Sequence, residues 1–392
     1  MTPLQIVLAA LISIGIPAVF LLIIYTLDLY ASRTFRLVMV SFVWGAVGAV
    51  GFAYVVNSYV VMPLIRTLRL DHVWLYVALA PIVEEILKSL ALLYVSRQTD
   101  FTYFVDGAIY GFAAGIGFSI MENFIYVLQN PQAGIALALI RGFSTCLMHG
   151  TAAALVGVAV GRFRFQRNPQ RLLALGGGWF AAIVLHASFN AVSKADLVPP
   201  GLTMPLAVAL GLAGVGLIAT FISWGLREEG RWMLETLDRK VNVSAAEARA
   251  ARSIASLDEV LEPVAAQFPH KAEQVEALVL FQAQLGIKRK ILQRLDDADL
   301  RRKLQREIDQ MQIEMERLRR EVGAYVMVYV RSVFPEGAFN LWSNLESVAL
   351  KSGQPDLQRW AAMLTTRQTA PAQRSIFGSI RERGEGSRPD GA

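Results

Sequence analysis

Seven apolar runs, each long enough to cross a bilayer, recur within the first 226 of 392 residues. A helical span needs about 20 mostly apolar residues. The runs fall at roughly 5–28, 37–63, 73–95, 102–129, 134–160, 172–194 and 203–226. Hydrocarbon offers no partner to a peptide group, so runs of this length are committed to helix. The expected fold class is all-α: a polytopic membrane helix bundle followed by a helical, partly coiled-coil cytoplasmic tail. The first run has no small-x-small cleavage site before Asp28 and no positive flank, so it reads as a retained span and not a signal peptide.

Charge divides the chain at the same place. Residues 1–226 hold 12 Lys/Arg and 8 Asp/Glu, whereas residues 227–392 hold 26 and 24. The expected domains are therefore a seven-span region over 1–226, a cytoplasmic helical region over 227–367 and a disordered tail over 368–392. A net charge of +6 is too small and too dispersed to read as a nucleic-acid surface, so no nucleic-acid partner is expected. The single cysteine, Cys146, excludes an internal disulfide. Arg33 and Arg36, then Arg162, Arg164, Arg167 and Arg171, then Arg227 and Arg231 all fall on one side of a seven-span chain. By the positive-inside rule that side is the cytoplasm, with the N-terminus outside. Arg66 and Arg69 lie on the other side and are outnumbered.

Ionisable residues within spans are expensive and mark either a function or a specific pair. Here they gather in four consecutive spans. The third holds Glu84, Glu85 and Lys88. The fourth holds Asp106, Glu122 and Asn123, the fifth Arg141 and His149, and the sixth His186 and Asn190. At 1.5 Å per residue the acids, histidines and amide fall in one layer, from mid-membrane outward. Glu84 and Lys88 are four apart and share a helical face, with Glu85 about 100° away. One carboxylate can then be held by Lys88 while the other stays free. His186 and Asn190 are also four apart. Singly, each signal has a plainer reading. A Glu–Lys pair can be helix glue, a lone membrane histidine usually bonds a neighbouring helix, and Asn123 can do the same. Arg141 lies at the depth of Glu122 and suits a structural ion pair, Asp106 suits a cap, and Gly107, Gly111, Gly115 and Gly117 suit close helix packing. The combination of acids, histidines and amides in adjacent spans is what points to a site.

The order of these groups resembles the PrsW family of bacterial intramembrane proteases, which is distantly similar to the glutamate-type endopeptidases that process prenylated (CAAX) proteins. Glu84-Glu85 with Lys88 looks like the family's E-E-x-x-K element, and Phe118 with Glu122 like its F-x-x-x-E element. His149 looks like its isolated histidine, and His186 with Asn190 like H-x-x-x-N. The prenyl-processing relatives have histidine where this chain has Glu122. The resemblance covers roughly 75–195 and leaves the tail uncovered. It implies an intramembrane endopeptidase in a bacterial cell membrane, acting on membrane-anchored proteins such as an anti-sigma factor or a lipid-modified protein.

Peptide hydrolysis needs a base for water and donors for the oxyanion. In the reading that follows, Glu84 or Glu85 is the base and His149 holds the water or shuttles its proton. His186 and Asn190 polarise the carbonyl. Glu122 belongs to the catalytic group, and Lys88, Asn123 and Arg141 support it. No cofactor or metal ligand is assigned. Zinc is the alternative, because two histidines and a carboxylate can bind it, although H-E-x-x-H is absent. Two other functions compete: a transporter or proton relay through the same acids and histidines, and a membrane scaffold in which the tail matters. No internal repeat supports transport.

In the tail, helices are expected over 243–265 and 271–323, the latter with a break near Gly286. Leu304, Ile308, Met311, Met315, Leu318 and Val322 follow a heptad spacing, which suits either an intramolecular hairpin or self-association. Residues 324–334 are apolar enough to pack on it, short helices are expected over 337–360, and Lys288-Arg289-Lys290 reads as a solvated face.

The orientation is open to test. Cysteines engineered into the Arg162–Arg171 loop should resist an impermeant maleimide applied to intact cells. Efficient labelling there would reverse the topology.

Overall fold

The computed structural model describes residues 3–27, 35–130, 132, 134–162, 164, 170–194, 200–236 and 257–333. Among them the regular structure is entirely helical. In order, the helices are α1 (Pro3–Thr26), α2 (Phe35–Thr67), α3 (Ala80–Val95), α4 (Phe104–Gln129), α5 (Gly134–Phe143), α6 (Thr145–Arg162), α7 (Gln170–Lys194) and α8 (Pro200–Thr236). The cytoplasmic-type region adds α9 (Leu257–Gln267), α10 (Ala272–Arg294), α11 (Ala298–Val322) and α12 (Ala324–Val333). Helix α2 is wound as π-helix over Trp44–Ala49 and Asn57–Val61, and a π turn, Leu75–Leu79, leads into α3.

Among the described residues, six helical segments are long and apolar enough to cross a membrane, α5 and α6 counting together as one across the break at Ser144. The chain is a multi-pass membrane protein. The run expected at 73–95 is not among the six. Glu84, Glu85 and Lys88 depress its hydropathy. Its exposed face nevertheless carries Ile82, Ile86 and Leu90 at helical spacing, while Glu85 and Lys88 are fully buried on the other. Helix α3 thus presents an apolar stripe outward and its charges inward, an inversion of a soluble amphipathic helix.

Helix α4 is the centre of the bundle, with every residue from Phe104 to Ile120 buried. It can be surrounded because its surface is small. A Cβ on Gly107, Gly111 or Gly115 would run into the backbone carbonyls of Gly157, Ala153 and His149 on α6. On another face, Gly45 of α2 lies against the carbonyl of Ala114, and Gly117 against that of Phe42. Without a hydrophobic drive between helices in lipid, such close backbone approach supplies the packing attraction. At its N-terminus, Asp106 accepts from the amide and hydroxyl of Thr102 at 2.5 and 2.7 Å, the capping role expected of it.

After the spans, helix α8 continues unbroken past residue 226 to Thr236, whose hydroxyl donates to the carbonyl of Gly286 at 2.7 Å. The break expected near Gly286 instead falls at 295–297, where the Asp297 side chain caps α11 by accepting from the amides of Asp299 and Leu300. Those amides, Leu300 first, hold the Asp297 carboxyl below its usual range. Gly286 is buried within α10, which packs against α8. Leu304, Ile308, Met311, Met315 and Val322 are buried along α11, with Leu318 half-buried, and α11 packs on α10 of the same chain. Lys288 is no solvated residue. It is buried, pairs with Glu307 and lies 3.6 Å from Asp100 at the end of α3, while Lys290 meets Glu235 at 2.5 Å. Of the helix expected over 243–265, only α9 is among the described residues. The expectations for 337–360 and 368–392 lie outside them.

The glycine contacts give a direct test. Gly111→Ala should lower the melting temperature in detergent, because the added methyl meets rigid backbone and overpacking costs about 1–3 kcal/mol. Gly51→Ala, with nothing within 4 Å of its Cβ position, should be neutral. Equal melting of both variants would remove the close-approach account.

Candidate active site

The bundle brings the polar residues of α3, α4, α5, α6 and α7 into one hydrogen-bonded chain. Lys88 is its hub. Its ammonium donates to Glu85 Oε1 at 2.7 Å and to His149 Nδ1 at 2.7 Å, and it lies 4.1 Å from the centre of the Phe118 ring. An ammonium only donates, so His149 accepts at Nδ1 and carries its proton on Nε2, which meets Glu122 Oε2 at 3.0 Å. The same oxygen accepts from Arg141 Nη2 at 3.0 Å. Arg141 Nε donates to Asn123 Oδ1 at 3.1 Å, and its guanidinium lies 4.0 Å from the Tyr126 ring. On the other side of the hub, Glu85 Oε1 also accepts from His186 Nδ1 at 2.8 Å. The two imidazoles stand edge to face, 4.6 Å apart.

That arrangement corrects one reading and sharpens another. Lys88 does not hold Glu84, four residues away. It holds Glu85, three away, because Glu85 faces the histidines of α6 and α7. Glu84 is left as the carboxylate without a cation. Its Oε2 is buried with no hydrogen-bond partner and lies 3.8 Å from His186 Nε2. Since His186 uses its Nδ1 proton on Glu85, its Nε2 is a lone pair. Two acceptors therefore face each other with no donor between them. The charge count agrees: Glu84, Glu85 and Glu122 stand against Lys88 and Arg141, one negative charge in excess. In a low-dielectric interior such an excess demands a proton, a water or a cation.

Metal binding can be judged on the same atoms. Glu84, His149 and His186 offer donor atoms within 4.8 Å of one another. Two histidines and a glutamate are the donor set of open catalytic zinc sites. Glu85 behind His186 is the outer carboxylate that a ligating histidine usually carries. His149 has both nitrogens engaged, with Lys88 and Glu122, and joins such a set by exchanging one of them. The residues fit a divalent metal, which the sequence reading left as the alternative.

The expected pair of Arg141 and Glu122 is formed, and Asn123 joins it. Asn190 is placed differently from its expected role: its amide nitrogen donates to the backbone carbonyl of Tyr76 at 2.8 Å, inside the π turn before α3. In the i→i+5 pattern the donor for Tyr76 would be residue 81, and Pro81 has no N–H, so this carbonyl accepts from outside its own helix. Through this bond Asn190 anchors the start of α3.

Further groups brace α3. Trp44 Nε1 donates to the carbonyl of Leu87 at 2.9 Å from α2, and Trp179 Nε1 to Ser89 Oγ at 2.8 Å from α7. Neither tryptophan was singled out from the sequence, where nothing distinguishes an indole that bonds a helix from one that faces lipid. Tyr126, one turn beyond Glu122, was visible as a spacing but carried no charge to draw notice. Cys146 is buried and free.

Residues 33–224 match the model of the PrsW family, described as intramembrane metalloproteases. The chain is 26% identical over 184 residues to protease PrsW of Halalkalibacterium halodurans, covering 45% of this chain and 79% of that protein. It is 26% identical over 114 residues to protease PrsW of Bacillus subtilis, covering 29% of this chain and about half (51%) of that one. No solved structure matches. The match contains every residue of the hydrogen-bonded chain and stops short of the helices after α8. Through this region, the protein belongs to the PrsW family of intramembrane proteases.

Proposed function

We propose that the protein is an endopeptidase that hydrolyses peptide bonds of membrane-anchored protein substrates, with Glu84 acting on the attacking water. The observation that carries this reading is the facing pair of Glu84 Oε2 and His186 Nε2, 3.8 Å apart and without a donor between them. A water placed there has two acceptors for its protons and is poised as a nucleophile. Its oxygen forms a bond to the scissile carbonyl carbon while Glu84 takes a proton. Glu84 then returns a proton to the amide nitrogen as the C–N bond breaks, and no covalent enzyme intermediate is needed. Glu85 keeps His186 in the tautomer that leaves Nε2 unprotonated, and Lys88 supplies positive charge beside the developing oxyanion. A bound zinc, held by Glu84, His149 and His186, would polarise the carbonyl and acidify the water.

The remaining parts of the reading rest on charge and family. The N-terminus lies outside and the tail in the cytoplasm of a bacterial inner membrane. Candidate substrates are a membrane-anchored regulator of the anti-sigma type or a lipid-modified protein, and the bilayer itself delivers them to the site.

The test is cleavage of a single-span substrate library in reconstituted vesicles, with thermal melts to check folding. Glu84→Gln keeps the shape of the side chain but cannot accept the proton, so cleavage should fall 10²-fold or more at a normal melting temperature. His186→Ala should be as severe. Asn190→Ala should be milder and act by loosening the Tyr76 turn. Metal analysis of the same preparations separates base from ligand. Stoichiometric zinc that Glu84→Gln loses, with wild-type cleavage abolished by stripping and regained on re-addition, would recast Glu84 as a ligand. Full cleavage by Glu84→Gln would end the reading.

A further inference from the structure

We propose that Arg141 is a positioning residue for the hydrolysis, acting through Glu122 on His149; the inference rests on the protease reading above. Arg141 belongs to the short helix α5, which stops at Phe143 just before α6 begins. Its guanidinium is clasped by three groups from little more than one turn of α4. Glu122 Oε2 lies 3.0 Å from Nη2, Asn123 Oδ1 lies 3.1 Å from Nε, and the Tyr126 ring lies 4.0 Å away. Neutralising a carboxylate needs only the first of these. The other two fix where the guanidinium sits and how its plane is turned.

What is fixed by them is Glu122. Its side chain is 21% exposed, against 13% for Glu84 and 0% for Glu85, so it is the acid with most freedom to swing toward water. The oxygen held by Arg141 is the one that receives His149 Nε2. With Glu122 in place, His149 keeps its proton on Nε2 and offers Nδ1 to Lys88, and Lys88 in turn meets Glu85, which orients His186. The bonds run without a gap from the clasp to the lone pair that faces Glu84. Outer groups of this kind, which orient a working histidine, typically change activity by about 10–100-fold when removed.

Arg141→Lys tests the idea, because lysine keeps the charge beside Glu122 but has neither the planar fork for Asn123 nor the flat face for Tyr126. The assay is kcat and KM for a cleaved single-span substrate in vesicles, together with a thermal melt. The expected result is a kcat lower by about 10-fold or more, with KM and melting temperature unchanged. In a Glu122→Gln background the same change should cost nothing further, because the route through Glu122 is already cut. Should Arg141→Lys melt early, Tyr126→Leu and Asn123→Ala loosen the clasp without touching the ion pair, and the same two readouts apply. Wild-type kcat in the folded variants, or losses that simply add to that of Glu122→Gln, would overturn the role and leave a structural ion pair. A wild-type chain that cleaves no substrate would overturn the protease reading and this inference together.

Discussion

A fully buried ammonium within a membrane bundle, Lys88, is the group on which the rest of the site depends. Desolvating it is costly, and the cost is offset only if every proton finds an acceptor of good geometry. Glu85 and His149 supply two at 2.7 Å, and the face of Phe118 lies over the remainder. Because those acceptors come from α3 and α6, with the ring from α4, the lysine also sets the distances between three helices. Both histidine tautomers follow from it. His149 must accept at Nδ1, and Glu85, already engaged by Lys88, draws the Nδ1 proton of His186. The orphaned lone pairs of Glu84 and His186 are therefore a consequence of satisfying Lys88, not an independent feature.

The backbone packing allows this cluster to exist at mid-bundle. Gly115 lets α4 approach the carbonyl of His149 directly, so the histidine is held by main-chain contact as well as by its ring. Gly107 and Gly111 continue that seam toward the N-terminal end of α4, and Gly117 with Gly45 of α2 forms another. Large residues cannot replace these contacts, because the carbonyls they face belong to rigid helices. The π turn before α3 has a related role. It leaves the Tyr76 carbonyl open to Asn190, and so ties the helix of Glu84 and Glu85 to the helix of His186.

Beyond the spans, α8 carries the chain out as one continuous helix on which α10 rests through Thr236 and Gly286 and through Arg294 over Trp232. Lys288 reaches from α10 to Asp100, just past the end of α3. Three successive basic residues read from sequence as a solvated face, yet the first is buried between two acids. Charge density along a sequence says how many ions there are, not which of them a neighbouring helix covers.

The sequence alone determined the helical class, the approximate spans and the set of ionisable residues that must share one layer, because hydropathy and the expense of intramembrane charge are local properties. It also brought Arg141 and Glu122 together by depth, since rise per residue is constant along a helix. It missed the true break in the tail, which an aspartate cap at 297 sets and Gly286 does not. Only the tertiary structure decided that Lys88 holds Glu85 and leaves Glu84 free, that Asn190 bonds a backbone carbonyl, and that Trp44 and Trp179 brace the site. Residues three and four apart on a helix are equally good neighbours by spacing. Which of them pairs is settled by what the facing helices offer, and that is a property of the packed bundle.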